Sequence, residues 1–321
     1  MKECEIRPKE IFEEYLRISR IDGENLDKSN FKDLPCPGCN SIVDSKLHFN
    51  KFGFKYLKCD KCNSLYCSPR PNEVQLEFLC SSSNSSKFWS TVFFPLVAER
   101  RRELMFQPKA RMICDLLKDR NIRIKNICDV GAGHGFMLEE IKKNLENIEL
   151  FAIEPDKNSA RSCMEKGIRV AEVIAEKNCM WKDEFDLVVS FEVIEHVFNV
   201  RKFVKSMFEI TKPNGYCLIT GLGYEGYDIL SLQENSKSIS PPHHINFLSI
   251  AGLEILLRDI GFRNIEIITP GKLDVDIVYN CGFSNEFVTT LKRRGYDLFY
   301  KFQQFLVDNQ LSSHVWAMAQ K

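Results

Sequence analysis

The chain has 321 residues, 44% of them hydrophobic and 27% charged, and its 44 basic side chains balance its 44 acidic ones. This composition is typical of a globular protein with one large domain and a smaller accessory one. Proteins that bind long polyanions usually carry a basic field, so the neutral charge argues against nucleic acid as a partner. No apolar run approaches the ~18 residues that span a bilayer, and the charged N-terminal segment lacks the apolar core of a secretion signal. We therefore expect a cytoplasmic protein.

Four of the 13 cysteines form two close pairs near the N-terminus. Cys36 and Cys39 form one C-x2-C pair, and Cys59 and Cys62 form the other. Two residues between cysteines let both thiolates face one tetrahedral ion, and the longer gap brings the second pair round. The spacing predicts a zinc ribbon over residues 34–72. The zinc should be structural, because four thiolates leave no open coordination position.

The remaining elements predict one large α/β domain with helical flanks. Residues 1–33 form a helical N-terminal segment, and residues 73–125 form a helical linker or cap broken at Pro95 and Pro108. From residue 126 strands alternate with helices, which indicates a Rossmann-like, doubly wound and mostly parallel sheet. Its predicted strands lie at residues 126–130, 149–153, 168–173, 185–191, 216–222, 264–268 and 275–279. A Pro-Gly turn joins the last two, so they should be antiparallel.

This large domain should extend over residues 126–285. Residues 286–321 are amphipathic, and we predict a helical extension that covers the core or forms a homodimer contact.

A glycine-rich turn follows the first strand of this domain, with Gly131, Gly133 and Gly135 in Gly-x-Gly-x-Gly spacing. Glycines there let a ligand approach the backbone and leave amide groups free at the start of the next helix. Phe136 stands where a dinucleotide fingerprint requires glycine. Glu154 ends the next strand, where a carboxylate can accept hydrogen bonds from ribose hydroxyls. The pattern predicts a ribose-containing cofactor.

Four segments of the chain resemble the class I S-adenosylmethionine-dependent methyltransferases: DVGAGHG at 129–135, AIEPD at 152–156, FDLVVSFEVIEHV at 185–197, and the Pro-Asn-Gly turn at 213–215. The resemblance implies S-adenosylmethionine as the cofactor. It also implies a cofactor-binding set, namely Asp129, Gly131, Gly133, Gly135, Glu154, Glu176 and Glu192. In this set Asp129 and the first glycines cradle the methionine end, Glu154 holds the ribose, and Glu176 flanks the adenine.

Candidate catalytic residues follow the fourth and fifth predicted strands. His196 lies in the segment Glu192-Val-Ile-Glu195-His196, and His243 and His244 lie in an irregular segment further on. Any of these histidines can act as the general base that removes a proton from the acceptor. The Glu-x-x-Glu-His segment with a later histidine also resembles the divalent-metal site of the ubiquinone-pathway and small-RNA O-methyltransferases, which implies a second metal site at Glu192, Glu195 and His196. The alternative is a structural role, in which these residues cap a helix and pack against the sheet.

The ribbon followed by Pro69-Arg70-Pro71 resembles the N-terminal module of many sugar-pathway and polyketide-pathway methyltransferases. This resemblance implies a small-molecule acceptor, a nucleotide-linked or surface-polysaccharide sugar methylated on oxygen or carbon. Two alternatives stay open. One is an RNA methyltransferase that holds RNA with the ribbon, and the other is a zinc-dependent interaction module with an inactive methyltransferase fold.

The run Arg100-Arg101-Arg102 has two interpretations. It forms either a solvated helix face, which is the more common outcome for such a run, or a contact for a substrate phosphate.

Overall fold

A computed structural model describes residues 1–282 and 285–321. Its strands are β1 Ser45–Lys51, β2 Phe54–Cys59, β3 Leu65–Cys67, β4 Asn126–Val130, β5 Glu149–Ile153, β6 Arg169–Ala171, β7 Phe185–Phe191, β8 Thr211–Leu222, β9 Asn246–Phe247, β10 Arg263–Ile268 and β11 His314–Gln320. Its helices are α1 Glu3–Ile6, α2 Lys9–Glu24, α3 Glu73–Ser81, α4 Asn84–Phe88, α5 Phe94–Arg101, α6 Gln107–Asp119, α7 Phe136–Lys142, α8 Lys157–Glu165, α9 Val200–Ile210, α10 Tyr227–Leu232, α11 Ile250–Ile260, α12 Asp274–Asn280, α13 Glu286–Arg294 and α14 Tyr296–Asp308. Residues 283 and 284 belong to the predicted domain 126–285 and lie outside the described residues.

The larger sheet has seven strands in the order β10-β11-β8-β7-β4-β5-β6. Strands β4 to β8 run parallel to one another, whereas β11 is antiparallel to both of its neighbours, β8 and β10. The predicted Rossmann-like α/β fold with an antiparallel last strand is therefore confirmed. The chain passes from β4 outward to β6 and then returns to β7 on the other side of β4. Ligands of such sheets bind beyond the carboxyl ends of the strands at this reversal.

The position predicted for the antiparallel strand is wrong. Residues 275–279 lie in helix α12, and the antiparallel partner of β10 is β11. Val275 and Val278 are buried one helical turn apart, and periodicity alone does not separate a short buried helix from a buried strand. The extension 286–321 is correspondingly only partly helical, because β11 follows α13 and α14 and inserts between β8 and β10.

The helical segment from α4 to α6 continues through both prolines that were expected to break it. A π-helical turn, Trp89–Phe93, precedes Pro95, and the Phe94 N–H donates to the Trp89 carbonyl five residues back. A second π-helical turn, Arg102–Phe106, ends in the same way before Pro108. In each π-helical turn the backbone N–H bonds to the carbonyl five residues back instead of four, and this change comes just before a proline, which has no N–H to donate. Such turns are frequent at functional sites.

Both faces of the larger sheet are covered, as a parallel sheet requires. Leu187 and Val189 of β7 pack into one apolar cluster, and Val188 between them packs into the other. A smaller sheet, β1-β2-β3-β9, contains the ribbon strands, and its last pair joins β3 to β9 from the segment after β8. Among residues 1–282 and 285–321, no helix has the length and apolar character needed to cross a membrane.

Candidate functional site

The turn between β4 and α7 requires its glycines for two different reasons. Gly131, Gly133 and Gly135 all have positive φ, at 82°, 53° and 77°. A Cβ at Gly131 would lie 2.5 Å from Val193, and one at Gly135 would lie 2.8 Å from Ile168, so packing excludes a side chain at these positions. A Cβ at Gly133 would meet nothing within 4 Å. Gly133 therefore presents its backbone to open space, where a ligand can approach it.

Glu154, at the end of β5, lies against this turn. Its Oε2 accepts a hydrogen bond from the Gly133 N–H at 2.7 Å, and its Oε1 accepts one from the Asp156 N–H at 2.9 Å. Glu154 is only 7% exposed, and burial raises the pKa of its carboxyl despite these two bonds. Each carboxylate oxygen has further lone pairs, so Glu154 can still accept hydrogen bonds from a ligand diol.

Asp129 is buried behind the turn. Burial, followed by the charge of Glu154, raises the pKa of Asp129 well above its usual range. Its Oδ1 has no hydrogen-bond partner within the described part of the chain. A buried polar atom without a partner is uncommon and marks a place where a ligand, an ion or a water can bind.

A cavity of about 940 Å³ opens in front of the turn, a volume near the upper end of the range for ligand pockets. It brings together most of the predicted cofactor-binding residues and all of the predicted catalytic histidines: Gly131, Gly133, Glu154, Glu176, Glu192, His196, His243 and His244. Asp129 and Gly135 do not line it. The cavity therefore contains both kinds of residue that the sequence indicated.

Glu192 follows β7 with a positive φ of 57°. Its Oε1 accepts a hydrogen bond from Thr220 Oγ1 at 2.6 Å and lies 3.2 Å from Lys109 Nζ and 3.0 Å from His314 Nε2. Burial alone would raise the pKa of Glu192, but His314 and Lys109 hold it well below its usual range. Lys109 and His314 were missed in the sequence because α6 and β11 approach Glu192 only in the folded sheet.

Glu195, His196 and His244 form a compact cluster. The two imidazole rings lie 4.7 Å apart between centroids, and one potential ligand atom from each residue lies within 4.8 Å of the others. His244 Nδ1 lies 2.6 Å from the Ser238 carbonyl. A carbonyl only accepts, so Nδ1 carries the hydrogen and Nε2 keeps its lone pair. Glu195 Oε2 has no hydrogen-bond partner among the described residues, so this cluster can hold a divalent cation.

The cluster differs in one residue from the divalent-metal set inferred from the sequence, and the second metal site stays a prediction. The cluster contains His244 in place of Glu192. The segment from Glu192 to His196 forms turns rather than a continuous helix, and the carboxylate of Glu192 is bound by Lys109 and His314 instead.

His243 is held by a chain of two polar residues from the N-terminal helices. Ser85 donates its hydroxyl proton to Asp22 Oδ2 at 2.6 Å, and its N–H donates to the same oxygen at 2.7 Å. Ser85 Oγ also lies 2.8 Å from His243 Nε2. Because the hydroxyl proton is directed at Asp22, His243 Nε2 must be the donor, and Nδ1 keeps its lone pair. Sequence reasoning missed both Asp22 and Ser85.

The two neighbouring histidines are uncharged at neutral pH. Burial is the main reason that the pKa values of His243 and His244 are lowered to about 4. Each imidazole therefore offers one basic nitrogen, Nδ1 on His243 and Nε2 on His244, in a cavity that already contains the glycine turn.

The four predicted zinc ligands converge in the ribbon. Cys36 Sγ lies 3.4 Å from Cys62 Sγ, and Cys39 Sγ lies 3.5 Å from Cys59 Sγ. All four thiols are buried, and their sulfurs lie within 4.8 Å of one another. Tetrahedral coordination with Zn–S bonds of about 2.3 Å requires sulfurs about 3.8 Å apart. The donor set and its spacing therefore fit one zinc ion.

Each cysteine pair is followed by an asparagine, a signal that the spacing argument did not use. Asn40 and Asn63 both have positive φ, at 58° and 64°. Their N–H groups donate to the carbonyls of Cys36 and Cys59, each at 2.9 Å. Asparagine tolerates this left-handed conformation better than most residues, so the two halves of the ribbon turn in the same way.

Comparison with known proteins agrees with this geometry. The model of a family described as "Methyltransferase domain" matches residues 97–267, which is more than half of the 321-residue chain. The chain therefore belongs to this methyltransferase domain family.

Several curated proteins are similar over the same part of the chain. The ubiquinone biosynthesis O-methyltransferase of Erwinia tasmaniensis is 27% identical over 158 residues, which cover 46% of this chain and 58% of that protein. The mitochondrial ubiquinone biosynthesis O-methyltransferase of Arabidopsis thaliana is 29% identical over 102 residues, which cover 29% of this chain and 30% of that protein. The chain thus spans less than two thirds of the length of these relatives.

Two solved structures share the fold. The plantazolicin methyltransferase BamL, in complex with a triazolic desmethylPZN analog and SAH, superposes with a TM-score of 0.51 at 15% identity over 77% of this chain and 94% of that one. The plantazolicin methyltransferase BpumL, in complex with SAH, superposes with a TM-score of 0.50 at 14% identity over 77% of this chain and 93% of that one. At these identities the likeness concerns the fold alone.

Proposed function

We propose that the protein is an S-adenosylmethionine-dependent methyltransferase that acts on a small-molecule acceptor. The observation that carries this proposal is the cavity that joins the Gly133–Glu154 contact to three histidines, of which His243 is buried and His196 and His244 are partly buried. One part of the cavity contains the exposed backbone of Gly133 and the carboxylate of Glu154, which can bind a ribose. Another part contains uncharged imidazoles, which can accept a proton from the methyl acceptor. The curated relatives are named O-methyltransferases, which supports an oxygen acceptor.

The cofactor would supply a methyl group on a sulfonium. We assign Glu154 to the ribose hydroxyls, because its carboxylate is buried beside the open face of Gly133. Asp129 Oδ1, which lacks a partner among the described residues, fits a hydrogen-bond acceptor for the methionine end. Glu176 lines the cavity after β6 and is assigned to the adenine side.

Methyl transfer to oxygen also requires loss of the acceptor proton, and we assign that step to an uncharged histidine. His243 Nδ1 and His244 Nε2 are the basic nitrogens of the cavity, and a base of this kind typically contributes about 10²- to 10⁴-fold. When a divalent cation is held by Glu195, His196 and His244, it would supply Lewis-acid activation of an acceptor hydroxyl. His244 Nε2 would then be a ligand, and His243 Nδ1 would be the base.

We also propose that the four-cysteine cluster of the ribbon holds one structural zinc. A cytoplasmic location stays a prediction. A homodimer through the C-terminal helices stays a prediction.

The acceptor in this proposal is a small metabolite. A nucleotide-linked or surface-polysaccharide sugar stays a prediction, because the similar curated proteins are named for ubiquinone biosynthesis. The RNA alternative and the inactive-fold alternative are not favoured, because the cavity is large enough for two small ligands and its glycines and Glu154 are intact.

Calorimetric titration of S-adenosylhomocysteine into zinc-quantified protein tests the proposal. We expect one binding site with micromolar affinity, and no heat with the dinucleotide NAD. A folded, zinc-loaded protein that does not bind S-adenosylhomocysteine would contradict the proposal, and the zinc-dependent interaction module would then be the better account.

A further inference from the structure

The basic run at the end of α5 divides into three different environments. Arg100 is about half exposed and pairs with Glu5. Arg102 pairs with the buried carboxylate of Glu140 at 2.5 Å. Arg101, between them, forms no ion pair within residues 1–282 and 285–321 and reaches the lining of the cavity. Of the two interpretations of this run, the solvated helix face describes Arg100, whereas Arg101 faces the cavity.

Arg101 is a partly buried cation without a hydrogen-bonded counter-ion among the described residues. Its Nε is buried and has no hydrogen-bond partner among the described residues, and its guanidinium lies 5.3 Å from the centroid of the Trp89 ring. Burial, followed by the charge of Arg7, lowers the pKa of Arg101 only to about 10, so Arg101 stays charged at neutral pH. The charge of Glu192 also reaches Arg101, but that carboxylate forms its ion pairs elsewhere.

Arg101 lies at the histidine end of the cavity. Trp89, the ring beneath its guanidinium, lies 5.0 Å from the ring of Tyr15, and Tyr15 stacks 6.2 Å from His243. Arg7 lines the same cavity, and its charge contributes to the lowered pKa of His244. No carboxylate within the described chain forms an ion pair with Arg7, whose guanidinium lies over the Phe12 ring at 5.2 Å.

Removing part of a charge from water without giving it a partner is costly, and two partly buried cations in one cavity repel each other. A site of this kind becomes favourable when an anion enters it, because a guanidinium binds two oxygens of a carboxylate or phosphate at once. We propose that Arg101 and Arg7 bind an anionic group, a phosphate or a carboxylate, of the methyl acceptor. This inference rests on the proposed function and narrows it, because it makes the substrate an acidic small molecule placed beside His243.

Calorimetry with inorganic phosphate and with acetate tests the inference, in protein with and without saturating S-adenosylhomocysteine. The variants are Arg101→Met, Arg101→Lys and Arg7→Met, and Arg100→Met is the matched control from the same run. We expect the wild type to bind at least one anion and Arg101→Met to weaken that binding at least tenfold. The anion affinity of Arg101→Lys should lie between those of the wild type and Arg101→Met, because lysine keeps the charge but lacks the planar guanidinium that binds two oxygens at once. Arg100→Met should match the wild type.

Three results would overturn the inference. The first is that the wild type binds neither phosphate nor acetate. The second is that Arg101→Met binds the anion as tightly as the wild type does. The third is weaker binding of S-adenosylhomocysteine by Arg101→Met with unchanged binding of 5′-methylthioadenosine, which would assign Arg101 to the carboxylate of the cofactor. If Arg101→Met does not fold, Arg7→Met provides the same comparison. Titration of the wild type with S-adenosylhomocysteine separates failure of the proposed function from failure of this inference.

Discussion

Arg70 Nη1 donates a hydrogen bond to Asn246 Oδ1 at 2.7 Å and thereby joins the end of the ribbon to β9. The same guanidinium donates to two backbone carbonyls. Asn246 Nδ2 in turn donates to two carbonyls of the loop after β7, which carries Glu195 and His196. The ribbon is therefore connected to the histidine end of the cavity through two buried polar side chains.

Replacement of Arg70 by methionine should destabilise the protein. Arg70 is only 1% exposed, and hydrogen bonds from a charged group contribute about 1.5 kcal/mol or more each. We expect the free energy of unfolding to fall by about 3 kcal/mol for Arg70→Met, measured by urea denaturation. Arg17→Met is the control, because Arg17 is exposed and its ion pair among the described residues is with Glu14 on its own helix. It should change the free energy of unfolding by no more than about 0.5 kcal/mol, and equal effects of the two variants would refute the structural role of Arg70.

Loss of one thiolate should remove the zinc. For Cys59→Ser we expect the zinc content to fall from about one ion per chain to near zero and the melting temperature to drop, because metal binding contributes directly to the folding of small metal domains. Metal analysis and thermal denaturation measure the two effects. Cys179→Ser is the control, since Cys179 is exposed and outside the cluster. Zinc retained by Cys59→Ser would count against the four-cysteine site.

Glu154→Gln should weaken cofactor binding. The amide keeps one acceptor but points a donor at the N–H groups of Gly133 or Asp156, where the carboxylate now accepts. We expect the affinity for S-adenosylhomocysteine to fall about ten- to hundredfold, the equivalent of one charged hydrogen bond. Glu149→Gln, at the exposed start of the same strand, should bind like the wild type. Calorimetry compares the two, and an unchanged affinity in Glu154→Gln would remove Glu154 from the site.

Asp228 should make the stability of the protein depend on pH. Asp228 is fully buried in the first turn of α10, and burial, with the charge of Asp274, raises its pKa to about 8. The unfolded chain has lost this proton well below that value, at about pH 3.9. Between pH 5 and 8 the folded state therefore binds more protons than the unfolded state. The free energy of unfolding should fall as the pH rises, by up to about 1.4 kcal/mol per unit from this group.

Asp228→Asn removes this contribution, because asparagine does not titrate. Relative to the wild type, the variant should gain stability steadily from pH 5 to pH 8, as measured by urea denaturation at a series of pH values. Asp308→Asn replaces an exposed aspartate and should run parallel to the wild type. If the Asp228→Asn curve also runs parallel, Asp228 is ionised in the folded protein.

Local features of this protein could be predicted from the sequence because their physical requirements lie within a few residues. The turn at Gly131–Gly135 needs positive φ at three positions, and only glycine supplies this freely. The caps of α11 are local as well, because Ser249 Oγ accepts the Gly252 N–H in the first turn and the Gly261 N–H donates to carbonyls of the last turn. The two thiols of each cysteine pair in the ribbon are likewise only three positions apart in the chain.

The sequence by itself thus determined where the parallel strands lie along the chain, the glycine turn with Glu154, and the four sulfurs of the ribbon. Only the tertiary structure decided which strand is antiparallel, because a short apolar segment such as 275–279 fits a helix or a strand until its neighbours are in place. It also decided the partners of the histidines. Ser85, which sets the hydrogen on His243, lies 158 residues away in the chain, and Arg101 faces the cavity while Arg100 beside it faces solvent. Hydrogen bonds and burial of this kind depend on distance in space, which adjacency in the sequence does not encode.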